Sequence, residues 1–189
     1  ELASGESIGI SIPGLERMDE IGEMAKALQV FQDAMKEIID QNQLRASLAK
    51  ITGKLYETST SRDAVRELLK ETLPVLDGGQ GLFYRFNQKD ERLELLESYA
   101  HVERKHVGNS FKLGEGLVGQ CALEEKPIIL TDVPDDYIEI SSGLGSAPPK
   151  TIAAYPLVLH GELQGVLEIG SFKRFSPLQQ NLLEDLIPA

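Results

Sequence analysis

Tryptophan is absent, cysteine occurs once, and aromatic residues make up only 6% of the 189-residue chain. A single thiol, Cys121, excludes an internal disulfide framework and any cysteine-rich zinc or iron–sulfur site, and it fits a reducing compartment. Cations are scarce relative to acids: 19 Lys and Arg stand against 30 Asp and Glu, a formal net charge of −11. Such a chain has little with which to neutralise phosphates. Nucleic acid is therefore a poor partner, and so is an anionic membrane surface. No apolar run approaches the roughly 20 residues that span a bilayer, and the first residues do not read as a signal peptide. Hydrophobic residues nevertheless reach 41%, enough for a core.

What the chain does have is an apolar run at heptad spacing: Ile21, Met24, Leu28, Phe31, Met35 and Ile38. The steps alternate three and four and place all six on one narrow stripe, the pattern of a coiled-coil seam rather than of a globular helix. Pro13 and Gly14 lie upstream, Asp19 can cap the free backbone N–H groups, and Glu20 and Glu23 suit the positive end of the helix dipole. The spacing predicts a helix from Asp19 to about Thr58. Continuing the first stripe would put Asn42 and Arg45 in the seam, whereas Leu44, Leu48, Ile51 and Leu55 restart it in a new phase. Such a shift locally over- or underwinds a coiled coil and marks a junction between helical modules.

Upstream of the helix, Ile8, Ile10 and Ile12 alternate with small residues, which predicts an extended connector. Downstream, Thr58–Ser61 breaks the helix, and Thr60 with Asp63 forms a capping box for a second one, ended by Gly78-Gly79. The period then switches to two: Leu82, Tyr84 and Phe86, a polar turn over 87–92, then Leu93, Leu95 and Tyr99 predict a hairpin. Residues 111–122 read as a strand end, a glycine turn and a short helix. Residues 127–133 read as a short strand and 134–150 as a long loop. The segments 151–159 and 162–172 read as strands joined at His160-Gly161, and a last helix starts at Ser176-Pro177. That helix stops amid apolar residues, so the chain reads as a piece of something longer.

Two family resemblances follow from these residues. Gly5-Glu6, the isoleucine connector, Pro13-Gly14, Asp19-Glu20-Ile21-Gly22-Glu23-Met24 and Phe31 resemble the second half of a HAMP domain, with only the tail of its first helix at Glu1–Ser4. HAMP domains form parallel four-helix bundles in homodimers and follow a transmembrane helix. From about Leu44 onward the chain resembles a GAF domain, on Gly114-Glu115-Gly116-Leu117-Val118-Gly119-Gln120, Ile128–Pro134, Tyr155-Pro156-Leu157 and Gly165-Val166-Leu167-Glu168. The loop Tyr137–Gly145 with Pro148-Pro149 is similar to the version in hybrid sensor histidine kinases. The resemblance implies an α+β fold: a long N-terminal helix, then an antiparallel sheet with the entering and exiting helices on one face and a small-molecule pocket on the other. The expected domains are a partial HAMP over 1–40, a signalling helix over 41–58 and a GAF-like sensor over 59–189.

The pocket so implied would lie between the sheet and the segments 107–123 and 133–150, with Tyr99, Phe111, Leu117, Val118, Cys121, Asp132, Tyr137, Ser141, Ser142, Tyr155 and Glu168 as candidate lining residues. Glu168 interrupts an apolar strand, and a buried carboxylate needs a partner; the alternative is a place at the solvent edge or a bond to a loop amide. Ser141-Ser142-Gly143 reads either as a backbone anion cradle or as a loop over an empty cavity. Cys121 reads as a small core residue, since Ala122 rather than histidine follows it. His101 and His106, five apart in a polar stretch, do not have metal-ligand spacing, and His160 is a turn residue.

No cyclic-nucleotide signature, Walker lysine or catalytic triad is recognisable. Sulfoxide reduction, known on this fold, needs more than one cysteine for turnover. The expected function is therefore a non-enzymatic one. The chain reads as the signal-transducing input module of a bacterial two-component sensor histidine kinase, a homodimer through parallel helices with the kinase domain in cis. No cofactor is expected beyond a small-molecule ligand. The parent is expected at the cytoplasmic side of the inner membrane, with no membrane contact by this segment. The alternatives are a ligand-free GAF dimerisation scaffold, or the input module of a cyclase or chemoreceptor.

Overall fold

The computed structural model describes residues 11–100, 109–134, 138–142 and 145–186, the side chain of Ser142 excepted. Ile8, Ile10, His101, His106, Tyr137 and Gly143 lie outside the described residues. The chain divides into two compact units, Glu1–Ala46 and Ser47–Ala189.

In the first unit a turn closes where the Arg17 N–H donates to the Gly14 carbonyl at 3.1 Å, with Gly14 at φ +91°. Helix α1 (Glu20–Tyr56, 37 residues) follows. Asp19 caps it, accepting from the Gly22 N–H at 3.1 Å, and the Arg17 guanidinium beside it holds the Asp19 carboxyl below its ordinary value. Gly22 is there because the turn crosses so closely: a Cβ would lie 2.1 Å from the Arg17 carbonyl oxygen. The heptad residues stay in the open on this unit. Ile21, Met24, Leu28, Phe31 and Ile38 are between 51% and 67% exposed. Met35 and Leu44 are half-buried.

The unit boundary after Ala46 falls within α1, so the last turns of that helix belong to the second unit. There Ile51 is 1% exposed and Lys50 and Lys54 both pair with Glu71, whose carboxyl they pull down to about 2. Ile51 is thus a core residue of its own chain and not part of an intermolecular seam, a correction to the heptad reading. Leu48 and Leu55 are half-buried.

Helix α2 (Ser61–Val75) opens on Thr60, whose hydroxyl accepts from the Asp63 N–H at 3.1 Å. It buries Val65, Leu68, Leu69, Thr72 and Leu73 at amphipathic spacing. The helix ends at Val75, after Pro74, and Asp77 turns the chain at φ +52°. Gly78 and Gly79 do not terminate the helix, as the sequence pattern predicts, but begin the first strand. A Cβ on Gly78 would sit 2.5 Å from the Leu73 side chain.

The strands are β1 (Gly78–Asn87), β2 (Arg92–Tyr99) and β3 (Ser110–Lys112); helix α3 (Gly116–Glu124) and strand β4 (Ile128–Thr131) come next. The 134–150 segment contains a short hairpin, β5 (Ile140–Ser142) with β6 (Gly145–Ala147), where the sequence predicts only loop. Strands β7 (Thr151–Leu159) and β8 (Glu162–Ser171) and helix α4 (Pro177–Leu186) complete the unit. His160 (φ +55°) and Gly161 (φ +79°) supply the left-handed pair that a two-residue hairpin turn requires. Ser176 and Gln179 cap α4 reciprocally, at 2.9 and 3.2 Å.

Among the described residues the main sheet has the order β3-β2-β1-β8-β7-β4, with every pair antiparallel. Its two faces are covered differently. On one, α2 packs so closely that a Cβ on Gly81 would lie 2.8 Å from Leu73. Gln179 at the start of α4 donates to the Val75 carbonyl at 2.9 Å, which places α4 beside the end of α2. The other face carries α3. Val118, Cys121 and Ala122 pack there on Leu82, Tyr84, Leu93, Ala154, Val158, Leu163 and Val166.

Candidate functional site

The register sorts the candidate residues between these faces. Glu168 pairs across the sheet with Leu82 on β1 and with Ala154 on β7, so it points to the α3 face. Its neighbour on β1, Tyr84, donates its hydroxyl to the Glu168 carboxylate and packs edge-on against Phe111 with ring centroids 5.3 Å apart. Glu168 is half-buried and lines a cavity of about 20 Å³ with Gln80, Leu82, Ile138, Ile140, Ile152 and Gly170. Burial pushes the Glu168 carboxyl up to about 7, against the opposing effect of the Tyr84 hydrogen bond. Burial, then the nearby carboxylate, raises the Tyr84 phenol in turn.

Phe111, Leu117, Val118 and Cys121 are brought together on this face, Phe111 from β3 and the rest from α3. Cys121 is fully buried. Burial first, then the charges of Glu124 and Glu168, pushes its thiol up to about 12, which makes it a packing residue and not a nucleophile.

Three candidates lie elsewhere. Tyr155 pairs with Leu167 on the face that α2 and α4 cover, and its phenol is pushed up to about 12 by burial there and by the charge of Glu184 on α4. Tyr99 is turned to that same face by a β-bulge. Tyr84 pairs with Leu95 but Phe83 with Glu97, so Leu96 is the extra residue and the alternation inverts beyond it. Glu97 accordingly reaches Arg62 and Arg66 on α2, at 3.0 and 3.1 Å. Asp132, at φ +58°, is exposed and pairs with Arg174, away from the cavity. Ser141 is half-buried in the β5–β6 hairpin, and the Ser142 side chain lies outside the described residues.

Sequence reasoning missed Tyr84, Gln80 and the isoleucines as parts of the site. A polar residue interrupting each apolar strand, Gln80 on β1 and Glu168 on β8, is the signal that joins them. A larger depression of about 510 Å³, lined by Asn87, Lys89, Glu162 and Gln164 among others, is open to solvent between two hairpin turns and away from these groups. No group of His, Cys, Asp and Glu among the described residues could hold a metal ion, and no described helix is long and apolar enough to cross a membrane.

A sheet with paired helices on one face, and a small helix and a carboxylate-bearing cavity on the other, is the plan of a small-molecule-sensing signalling domain. The chain belongs to the GAF domain family, whose pattern matches residues 58–187. Among solved structures it is similar to the GAF domain of an Acinetobacter phosphoenolpyruvate-protein phosphotransferase (18% identity, TM-score 0.63, 77% of this chain and 89% of that one). It is similar also to a Neisseria meningitidis free methionine-R-sulfoxide reductase in complex with its substrate (18%, 0.63, 78% and 85%). A third is a methyl-accepting chemotaxis protein over its residues 122 to 287 (15%, 0.55, 72% and 90%). At these identities the likeness is one of fold. No curated protein matches the chain.

Proposed function

We propose that the chain is the signal-transducing input module of a membrane-bound sensor histidine kinase. In this reading a dimeric, HAMP-like helix is coupled to a small-molecule-sensing GAF domain at the cytoplasmic side of the inner membrane. The observation that carries this reading is the stripe Ile21, Met24, Leu28, Phe31 and Ile38, each more than half exposed on α1. Large apolar residues at three-four spacing suit burial against a second helix with the same spacing, and in this reading that partner is another copy lying parallel. The capped start and the close crossing at Gly22 fit the HAMP resemblance. Two packings of such a bundle a few kcal/mol apart could be biased from the GAF pocket or from the opposite end. A ligand acts only through different affinities for the two states.

A ligand-free dimerisation scaffold is the second reading, favoured by a cavity that holds little more than one water molecule. Both readings require the dimer. Sedimentation equilibrium should give a dimer for the wild-type chain. The double variant Leu28→Lys, Phe31→Lys should give a monomer whose GAF unit melts at an unchanged temperature. A wild-type chain that stays monomeric at high concentration would remove the seam from the account.

A further inference from the structure

Glu168 is placed as a ligand-binding group would be, and its surroundings specify the ligand. Around the cavity the walls are Leu82, Ile138, Ile140 and Ile152, with Gln80 as the other polar residue. An ionised carboxylate can accept about four hydrogen bonds; among the described residues the Tyr84 hydroxyl donates one. No ion pair among the described residues includes Glu168. A half-buried carboxylate among apolar walls is costly unless a cation or several donors reach it. An anionic ligand would worsen that deficit, and the net charge of −11 would repel it from a distance. An apolar ligand would leave the carboxylate unsatisfied.

The cavity as it stands, about 20 Å³, has room for roughly one water molecule. What fills the rest is Ile140. Its side chain rests where the sheet presents glycines: a Cβ on Gly79 or Gly170 would lie 3.2 or 3.0 Å from the Ile140 δ-carbon. Ile140 belongs to β5, which pairs with β6 and not with the main sheet. Its side chain can therefore withdraw without breaking a hydrogen bond of the six-stranded sheet.

We propose that the pocket takes a small organic cation, a primary amine on an apolar body, whose nitrogen meets Glu168 beside Gln80 in the space Ile140 now fills. The apolar body takes the place of the isoleucine side chain over Gly79 and Gly170, between Leu82 and Ile152 in the cavity wall, and the ammonium pairs with the carboxylate. This ligand class rests on the sensor reading of the GAF domain and gives it a chemistry. Because a bound cation favours the ionised carboxylate, binding near neutral pH also releases a proton.

Calorimetric titration of the full chain with benzylamine, benzyl alcohol and benzoate near pH 8 tests this. A charge-assisted pair should make benzylamine roughly 10- to 100-fold tighter than the alcohol, with benzoate not bound. Glu168→Gln should bring amine and alcohol together, and Ile140→Ala should tighten the amine. Near pH 6.5, titrations in buffers of different ionisation enthalpy should show proton release in the wild-type chain, a readout independent of any variant. Equal binding of amine and alcohol, a preference kept by a folded Glu168→Gln variant, or no heat from either wild type or Ile140→Ala would each overturn the proposal. The dimer and its seam are read by sedimentation, so failure here is distinguishable from failure of the signalling reading.

Discussion

Replacing Ile51 by alanine is expected to lower the stability of the GAF unit by about 2–5 kcal/mol, the usual range for emptying a fully buried aliphatic site. Ile51 lies near the end of α1, where the heptad pattern alone makes it one more seam residue. In the structure it is 1% exposed, flanked by the Lys50 and Lys54 pairs to Glu71. Those pairs, whose lysines reach solvent, add little by themselves; the isoleucine holds the end of α1 to the domain. Leu28→Ala, by contrast, removes an exposed side chain and should leave the unfolding of the GAF unit within about 0.5 kcal/mol. Urea titration followed by circular dichroism measures both. A loss below about 1 kcal/mol for Ile51→Ala would contradict its place in the core.

Glu168→Gln should stabilise the protein at pH 8 and flatten its dependence on pH. The carboxyl ordinarily titrates at 4.5, and in the folded chain it holds its proton to about 7. The native state therefore binds this proton more tightly than the unfolded state does. Its contribution to stability is complete below 4.5, falls as pH rises through that window, and is lost above about 7. At 1.36 kcal/mol per unit, the wild type should fall short of the glutamine variant by up to about 3 kcal/mol near pH 8, and the gap should close toward pH 4.5. Glu71 and Asp19 are shifted the other way, so their contributions are lost only as pH falls below the ordinary carboxylate range. Unfolding free energies from pH 5 to pH 8 are thus dominated by Glu168 among the shifted carboxylates. An unchanged slope in the variant would mean that the carboxyl is solvated.

The strand order of the GAF unit is not written in any local pattern, but most of its elements are. The capping pairs Thr60/Asp63 and Ser176/Gln179 and the turn at His160-Gly161 each carry a backbone requirement that only certain residues meet. The site was less legible. Strict alternation along β2 puts Tyr99 with Leu95, and the bulge at Leu96 reverses it, a feature without a sequence signature. Tyr155 was misplaced because β7 is buried on both faces over Thr151–Pro156, so period two cannot say which face is which. The β5–β6 hairpin was missed because three-residue strands among proline, glycine and serine leave no period to detect. Ile51 was read by spacing alone, and spacing does not distinguish a partner helix from the helix that follows in the same chain.

Disulfide trapping along α1 tests the central claim most directly. Cysteine placed singly at Leu28 and Phe31 should link each residue to its own copy rapidly, because seam positions of a parallel pair face their equivalents at disulfide distance. Gln29 and Asp33, bonded to each other at 3.0 Å on another face of the helix, should link slowly. Cys121 needs no removal, being buried with its thiol pushed up to about 12. Fast self-linkage at Leu28 and Phe31 alone is the result expected of a parallel signalling helix. Equal linkage at all four positions, or none at any, would contradict it.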